Sequence, residues 1–318
     1  MEVLTEREWR ARASAHHSRV DAATQGHRAR RETGVKHPVE DFLFSYYTNS
    51  LAALRRWHPG VGLGLAGAAD DERAGWRFAR VDAGIVSLDV DGLLDARGDR
   101  VRSVAALLRA TLGRPAQFGC FGLHEWAMVH RLDQTSVRHP AWPLRLGATG
   151  TDAVVESHQI GCSHVDAFRF FTPTARPLNT LQPTRSDQVA MEQPGCLHAG
   201  MDCYKWAFTL SPATPSELVA DCFALAQDIR VFDMRASPYD LRDLGYEPVA
   251  IETREGKAVY VDAQRGFTVR SQELRRRLLK VADRLLGPAP TASSNNGSRR
   301  PATEPLATVP TGRAPAAT

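Results

Sequence analysis

The sequence predicts an α+β fold: one helix-rich globular domain with a small antiparallel sheet and a disordered C-terminal tail. Three observations lead there. Apolar residues recur at helical spacing in several long segments, and they alternate in a strand-like way only over short ones. From Gly287 onward Pro, Ala, Thr and Ser dominate, with Leu306 and Val309 as the sizeable apolar side chains, so too little surface is available to offset the ordering entropy. The remainder, about 285 residues, suffices for one large core. The expected organisation is an N-terminal helical extension over 1–36, a globular catalytic domain over 37–286 and the tail over 287–318.

The elements follow in order. Residues 2–33 are rich in charge, with Val3, Leu4, Trp9, Ala13 and Val20 spread along them, which predicts an exposed or loosely docked helix. Pro38 suits the first turn of a second helix reaching about Trp57, where His58-Pro59-Gly60 stops it. Phe78 to Val90 alternates as two strands around Asp82-Ala83-Gly84. Helices are expected at Val101–Leu112, from about Leu123, at Val165–Phe171 and at His198–Leu210. Another should run from Pro215 to Ala236, opened by a capping box at Thr214-Pro215-Ser216-Glu217. Asp152–Ile160 reads as a strand, Pro173–Pro194 as a surface loop, Glu247–Thr253 and Lys257–Asp262 as a hairpin, and Ser271–Leu286 as a basic helix.

The formal charge of +4 and pI of about 8.9 permit nucleic-acid binding without requiring it. Five cysteines, an odd number, follow no secretory signal, and no apolar run is long enough to span a membrane. The expectation is a cytoplasmic protein with free thiols and no membrane partner.

Chemistry-bearing residues concentrate between Cys120 and Lys205. Six of eleven histidines lie there: His124, His130, His139, His158, His164 and His198. Imidazole, thiolate and carboxylate are the usual ligands of zinc and non-haem iron, although the spacing matches neither H-E-x-x-H nor C-x-x-C. On that reading His158, Cys162, His164 and His198 are the candidate ligands, with Glu125, Glu156 or Asp202 as an acid–base group or additional ligand, and the substrate is a small molecule. His130, His139 and Cys203 are expected to be structural. A second set suits a nucleic acid. Trp206 or Tyr204 would stack an extruded base, Arg169 and Lys205 would hold the backbone, and Asp166 or Asp202, with Glu125 as a further candidate, would act at the sugar carbon. Pro59-Gly60-Val61-Gly62 followed by Val81-Asp82 is similar to the hairpin and catalytic Asp of helix-hairpin-helix glycosylases, but Gly62 to Gly67 is a poor helix start, so we set the match aside.

Four segments carry a wider likeness: His37-Pro-Val-Glu-Asp-Phe-Leu-Phe44, Phe121-Gly-Leu-His-Glu-Trp-Ala127, Cys196-Leu-His-Ala199 and Asp233-Met-Arg-Ala-Ser-Pro-Tyr-Asp240. Over about residues 37–270 the chain resembles a group of actinobacterial proteins labelled 3-methyladenine DNA glycosylase. The resemblance implies a DNA-repair hydrolase that cleaves the N-glycosidic bond of alkylated bases, with DNA as partner and no cofactor. The residue types imply the alternative, a zinc- or iron-dependent enzyme on a small molecule. Both readings remain open at this point.

Overall fold

Residues 1–287 are described by a computed structural model, and they form one helix-rich α+β unit. The chain starts with β1 (Glu2–Leu4) and α1 (Glu6–Ala23), whose Thr5 and Glu8 make a reciprocal capping box. Then come α2 (Gln25–Thr33), α3 (Phe42–Tyr46) and α4 (Leu51–Arg55). The single helix expected from Pro38 to Trp57 is therefore two short ones, interrupted where Tyr47 takes up extended backbone and where Ser50 caps α4 through Ala53 N at 3.1 Å.

Residues 1–36 pack into the same unit as the rest. Trp9, His16 and Val20 are buried, Trp9 Nε1 donates to Ala66 O at 3.0 Å, and Arg12 pairs with Glu217 at 2.9 Å.

The sheet is small, as expected, but mixed. Strands β2 (Leu63–Ala66), β3 (Ala79–Asp82) and β4 (Ile85–Leu88) are antiparallel, and β1 adds to β2 in parallel, giving the order β1-β2-β4-β3. The Pro59–Gly62 segment turns the chain into β2, with Gly60 and Gly62 both at positive φ, and Asp82 ends exposed on β3.

Helix α5 (Val90–Leu112) begins eleven residues before the predicted start, because Asp89 caps it by accepting from Gly92 N at 3.2 Å. It is followed by α6 (Leu123–Ala127), α7 (Gly147–Glu156), α8 (Val165–Phe168) and α9 (Gln188–Met191). The strand predicted at Asp152–Ile160 is contradicted: α7 buries Thr151, Val154 and Val155 at helical spacing. Two further helices fall where they were expected, α10 (Leu197–Thr209) and α11 (Ser216–Arg235). The capping box at Thr214 does not form, since Pro215 is the N-cap and Glu217 instead accepts from Trp57 Nε1 at 3.0 Å.

The largest departure is α12 (Arg254–Leu286), 33 residues that replace both the predicted hairpin at 247–262 and the shorter basic helix. Thr253 caps it through Gly256 N at 3.0 Å, and Tyr260, Gln264, Ser271, Leu274, Leu278, Ala282 and Leu285 make one buried stripe. Helix α10 lies against α11 and α12, and α5 against α12, enclosing the main core. A smaller cluster of Leu4, Trp9, Ala13, Trp57, Leu65, Ala68 and Val86 fills the space under the sheet. No described helix is long and apolar enough to cross a membrane. The predicted disordered tail lies, from Pro288, outside the described residues.

Candidate metal centre

Three helices bring the polar residues together. On α10 His198 and Asp202 are four apart and share a face. Helix α6 supplies His124 and Glu125, and α11 supplies Arg230 and Asp233. His164, just ahead of α8, and Glu192, just after α9, approach from the other side.

Two groups result, all six residues buried. His124, His198 and Asp233 offer ligand atoms within 4.8 Å of one another, and so do His164, Glu192 and Asp202. His124 Nε2 meets Asp233 Oδ2 at 3.0 Å, while its Nδ1 faces Cys120 Sγ at 3.5 Å. The His198 ring stands edge-on to His124, with centroids 4.6 Å apart, and 5.5 Å from His164. His164 Nε2 is 3.4 Å from Asp202 Oδ2 and 3.8 Å from Glu192 Oε2, contacts that fall short of hydrogen-bond geometry. Both nitrogens of His164 and Asp233 Oδ1 therefore have no hydrogen-bond partner although they are buried. Orphaned polar atoms of this kind call for an explanation, and a bound cation is one.

The electrostatics separate the three imidazoles. Burial alone would make His124 a weak base, but the Asp233 carboxylate overrides it and raises the pKa well above the ordinary value. His164 is raised in the same manner, against burial, by Asp202 and Glu192. His198 goes the opposite way: burial, then the charges of His124 and His164, push it well down. Burial raises Glu192. Asp202 resists burial because His164, Lys205 and the Tyr47 hydroxyl, which donates to it at 2.9 Å, hold it well below the usual carboxylate range.

The residues proposed from sequence are distributed unequally. His164, His198 and Asp202 lie in the two groups. Cys162 is buried and lines, with Cys120, Cys196, His124 and His198, a small cavity of about 10 Å³. His158 is apart, half-buried at the end of α7 with Nδ1 turned to Val154 O at 2.6 Å. Glu156 is exposed and paired with Arg131 at 2.8 Å. Glu125 is buried against Arg230 at 2.9 Å. Asp166 is buried and surrounded by cations: Arg185 donates to it, Lys205 Nζ is 3.1 Å away and the exposed Arg169 is 3.7 Å away. Arg185 and then Lys205 lower its pKa against burial. Tyr204 is fully buried among Tyr47, Phe208 and Phe223, and Trp206 is half-buried beneath Lys205 Nζ, 4.7 Å from its ring centroid. His130, between Glu156 and Thr174, and Cys203 sit in packing positions.

Asp233, Glu192, Arg230 and Arg185 were not singled out by sequence as site residues. Asp233 opens one of the four segments that carry the family likeness, and that was its one signal. Glu192 and Arg185 arrive on the proline-rich stretch expected to be a surface loop.

A groove of about 820 Å³ lies between α2, α3 and residues 138–142. Arg31, Lys36 and Arg138 line it without a carboxylate partner among the described residues, and Phe42, Phe44 and Trp142 supply apolar walls. Phe42 and Arg138 also belong to a smaller cavity that is bounded by Tyr46, Glu125, Arg230 and His198. Phe42 and Arg138 are thus common to the groove and to the small cavity that His198 lines. No family model matches the chain, and neither a curated protein nor a solved structure matches it significantly.

Proposed function

We propose that the chain is a metal-dependent enzyme in which His124, His198 and Asp233 hold an ion of the zinc or ferrous class and a small anionic molecule enters by the groove. The convergence of these three side chains from three helices, with Asp233 Oδ1 buried and unpaired, carries this reading. Two imidazoles and one carboxylate leave coordination positions open, which suits a catalytic rather than a purely structural site. When bound, such an ion supplies Lewis acidity. The chain's own residues do the rest: Arg138 and Arg230 lie where an anionic group would be oriented, and the His164–Asp202–Glu192 group can store a proton beside the site. Elemental analysis of purified protein tests the reading. One equivalent of zinc or iron is expected, lost in His198→Ala and Asp233→Asn variants that keep their helical content. Folded wild-type protein that takes up no ion from an excess of either metal rejects it.

A second reading is supported by the cationic groove and by the family resemblance: a DNA-repair hydrolase releasing 3-methyladenine-type bases. Arg31, Lys36 and Arg138 would meet phosphates, Phe44 and Trp142 would pack on bases, and Asp166 or Asp202 would act at the sugar. Release of alkylated purine that resists chelator and is lost in Asp202→Asn favours this reading over the first. Bound metal without base release favours the first.

A further inference from the structure

A separate hollow of about 310 Å³ lies between α4, α5, the segment 76–78 and the end of α10. It shares no lining residue with the groove or with the cavities around His198. Three arginines, Arg56, Arg77 and Arg97, line it, no carboxylate does, and none of the three makes an ion pair among the described residues.

The arginines are held in place by aromatic faces. The Arg56 guanidinium lies 5.2 Å from the Trp76 ring centroid, and Arg77 and Arg97 lie 4.6 and 5.2 Å from that of Phe78. Arg97 also donates to Ser211 O at 3.2 Å. Phe78 itself adopts positive φ, 64°, an uncommon conformation for an aromatic residue. Gathering like charges is unfavourable, and the neighbourhood registers it: burial and then Arg77 lower Arg97, and His58 is held down to about 4 by burial and by Arg56 and Arg73. An anion with two or more charges would relieve that repulsion, and guanidinium forks match phosphate oxygens. Leu54, Phe208 and Val219 line the same hollow and make part of its surface apolar, which suits a ligand with an organic part as well.

We infer that this hollow binds a nucleoside diphosphate-like molecule, its phosphates on Arg56, Arg77 and Arg97 and its ring system on the apolar surface. The site is independent of the metal centre, and the two stand or fall separately. Calorimetric titration of the full chain with ADP, pyrophosphate and adenosine, in chelator and without added metal, tests it. Saturable ADP binding is expected, with pyrophosphate at least tenfold weaker and adenosine undetectable. The exposed Arg77→Ala and the half-buried Arg97→Gln should each weaken ADP at least tenfold with little change in melting temperature, and His198→Ala should leave it unaltered. Four results would overturn the inference: no ADP binding at millimolar concentration, equal affinity for ADP and pyrophosphate, loss of binding in His198→Ala but not in Arg77→Ala, or displacement of ADP by a single-stranded oligonucleotide at lower concentration than unlabelled ADP.

Discussion

Glu125 and Arg230 are both almost wholly buried and meet at 2.9 Å, with the Arg230 guanidinium 3.7 Å from the Phe42 ring centroid. Arg230, set against burial, holds Glu125 below the usual carboxylate range. Removing one member strands the other charge, which costs about 3–5 kcal/mol. Glu125→Gln should therefore lower stability by about that amount in denaturant unfolding, and Glu125→Leu with Arg230→Met should recover most of it. Recovery that fails would mean the pair is not isolated from the neighbouring His198 and Asp233. At this scale the sequence was informative about residue type and poor about partners. His124, His164, His198 and Asp202 stand out because histidine is so concentrated there, and the i, i+4 spacing on one helix announces that His198 and Asp202 are neighbours. Asp233 and Glu192 are ordinary acids in a chain holding 36, and only the tertiary fold brings them to the imidazoles. His158 looked equivalent to the others because its segment was read as a strand, in which it would share a face with Glu156; the turn of α7 sends it elsewhere.

Elements were legible where one apolar stripe is long and closed by a recognisable cap, as in α10 and α11, and obscure where glycines interrupt the pattern. Gly256 suggested a hairpin turn. In fact it occupies the first turn of α12, where a Cβ would lie 1.9 Å from Ala250 O. Gly256→Ala should thus unseat the start of the helix and cost several kcal/mol, well beyond the gain of about 1 kcal/mol that Ala normally brings to a helix. A thermal shift upward would refute that close approach. Asp41 makes the opposite kind of argument, from charge. It ties α2 to α3, pairing with Arg30 at 2.7 Å and His27 Nδ1 at 2.8 Å and accepting from His37 N at 2.9 Å. Burial acts to raise it, but these partners bring it from 3.8 to about 2. A carboxyl depressed in the folded state stabilises above its unfolded value, and the contribution disappears as pH falls through the folded one. Asp41→Asn should cost about 1–2 kcal/mol at pH 7, allowing for solvent screening at this partly exposed site. The difference from wild type should close between about pH 4 and pH 2.

Across the whole molecule, histidines held neutral by burial outnumber those held charged, and this sets the response to acid. His58 and His139 are both brought from 6.5 to about 4, chiefly by burial and then by nearby arginines, and burial also lowers His16, His17, His37 and His198. In the unfolded chain each titrates near its ordinary value. Between pH 6.5 and 4 the unfolded state accordingly binds more protons at these sites than the folded one, and their contribution makes stability rise with pH over that interval. His124 and His164 have the reverse sign, but their contribution is complete below 6.5, so they do not counteract the trend. The residues concerned are dispersed: His16 lies on α1 against Leu54 O at 2.9 Å, His58 beside Trp76, and His139 against Tyr239. Acid should consequently loosen the N-terminal layer, the sheet side and the groove together rather than a single element. Urea unfolding midpoints should fall steadily from pH 6.5 to 4, and the slope should be shallower in a His58→Gln, His139→Gln double variant. A midpoint constant over that range would mean that the folded protein binds as many protons as the unfolded chain, so that burial does not hold these imidazoles neutral.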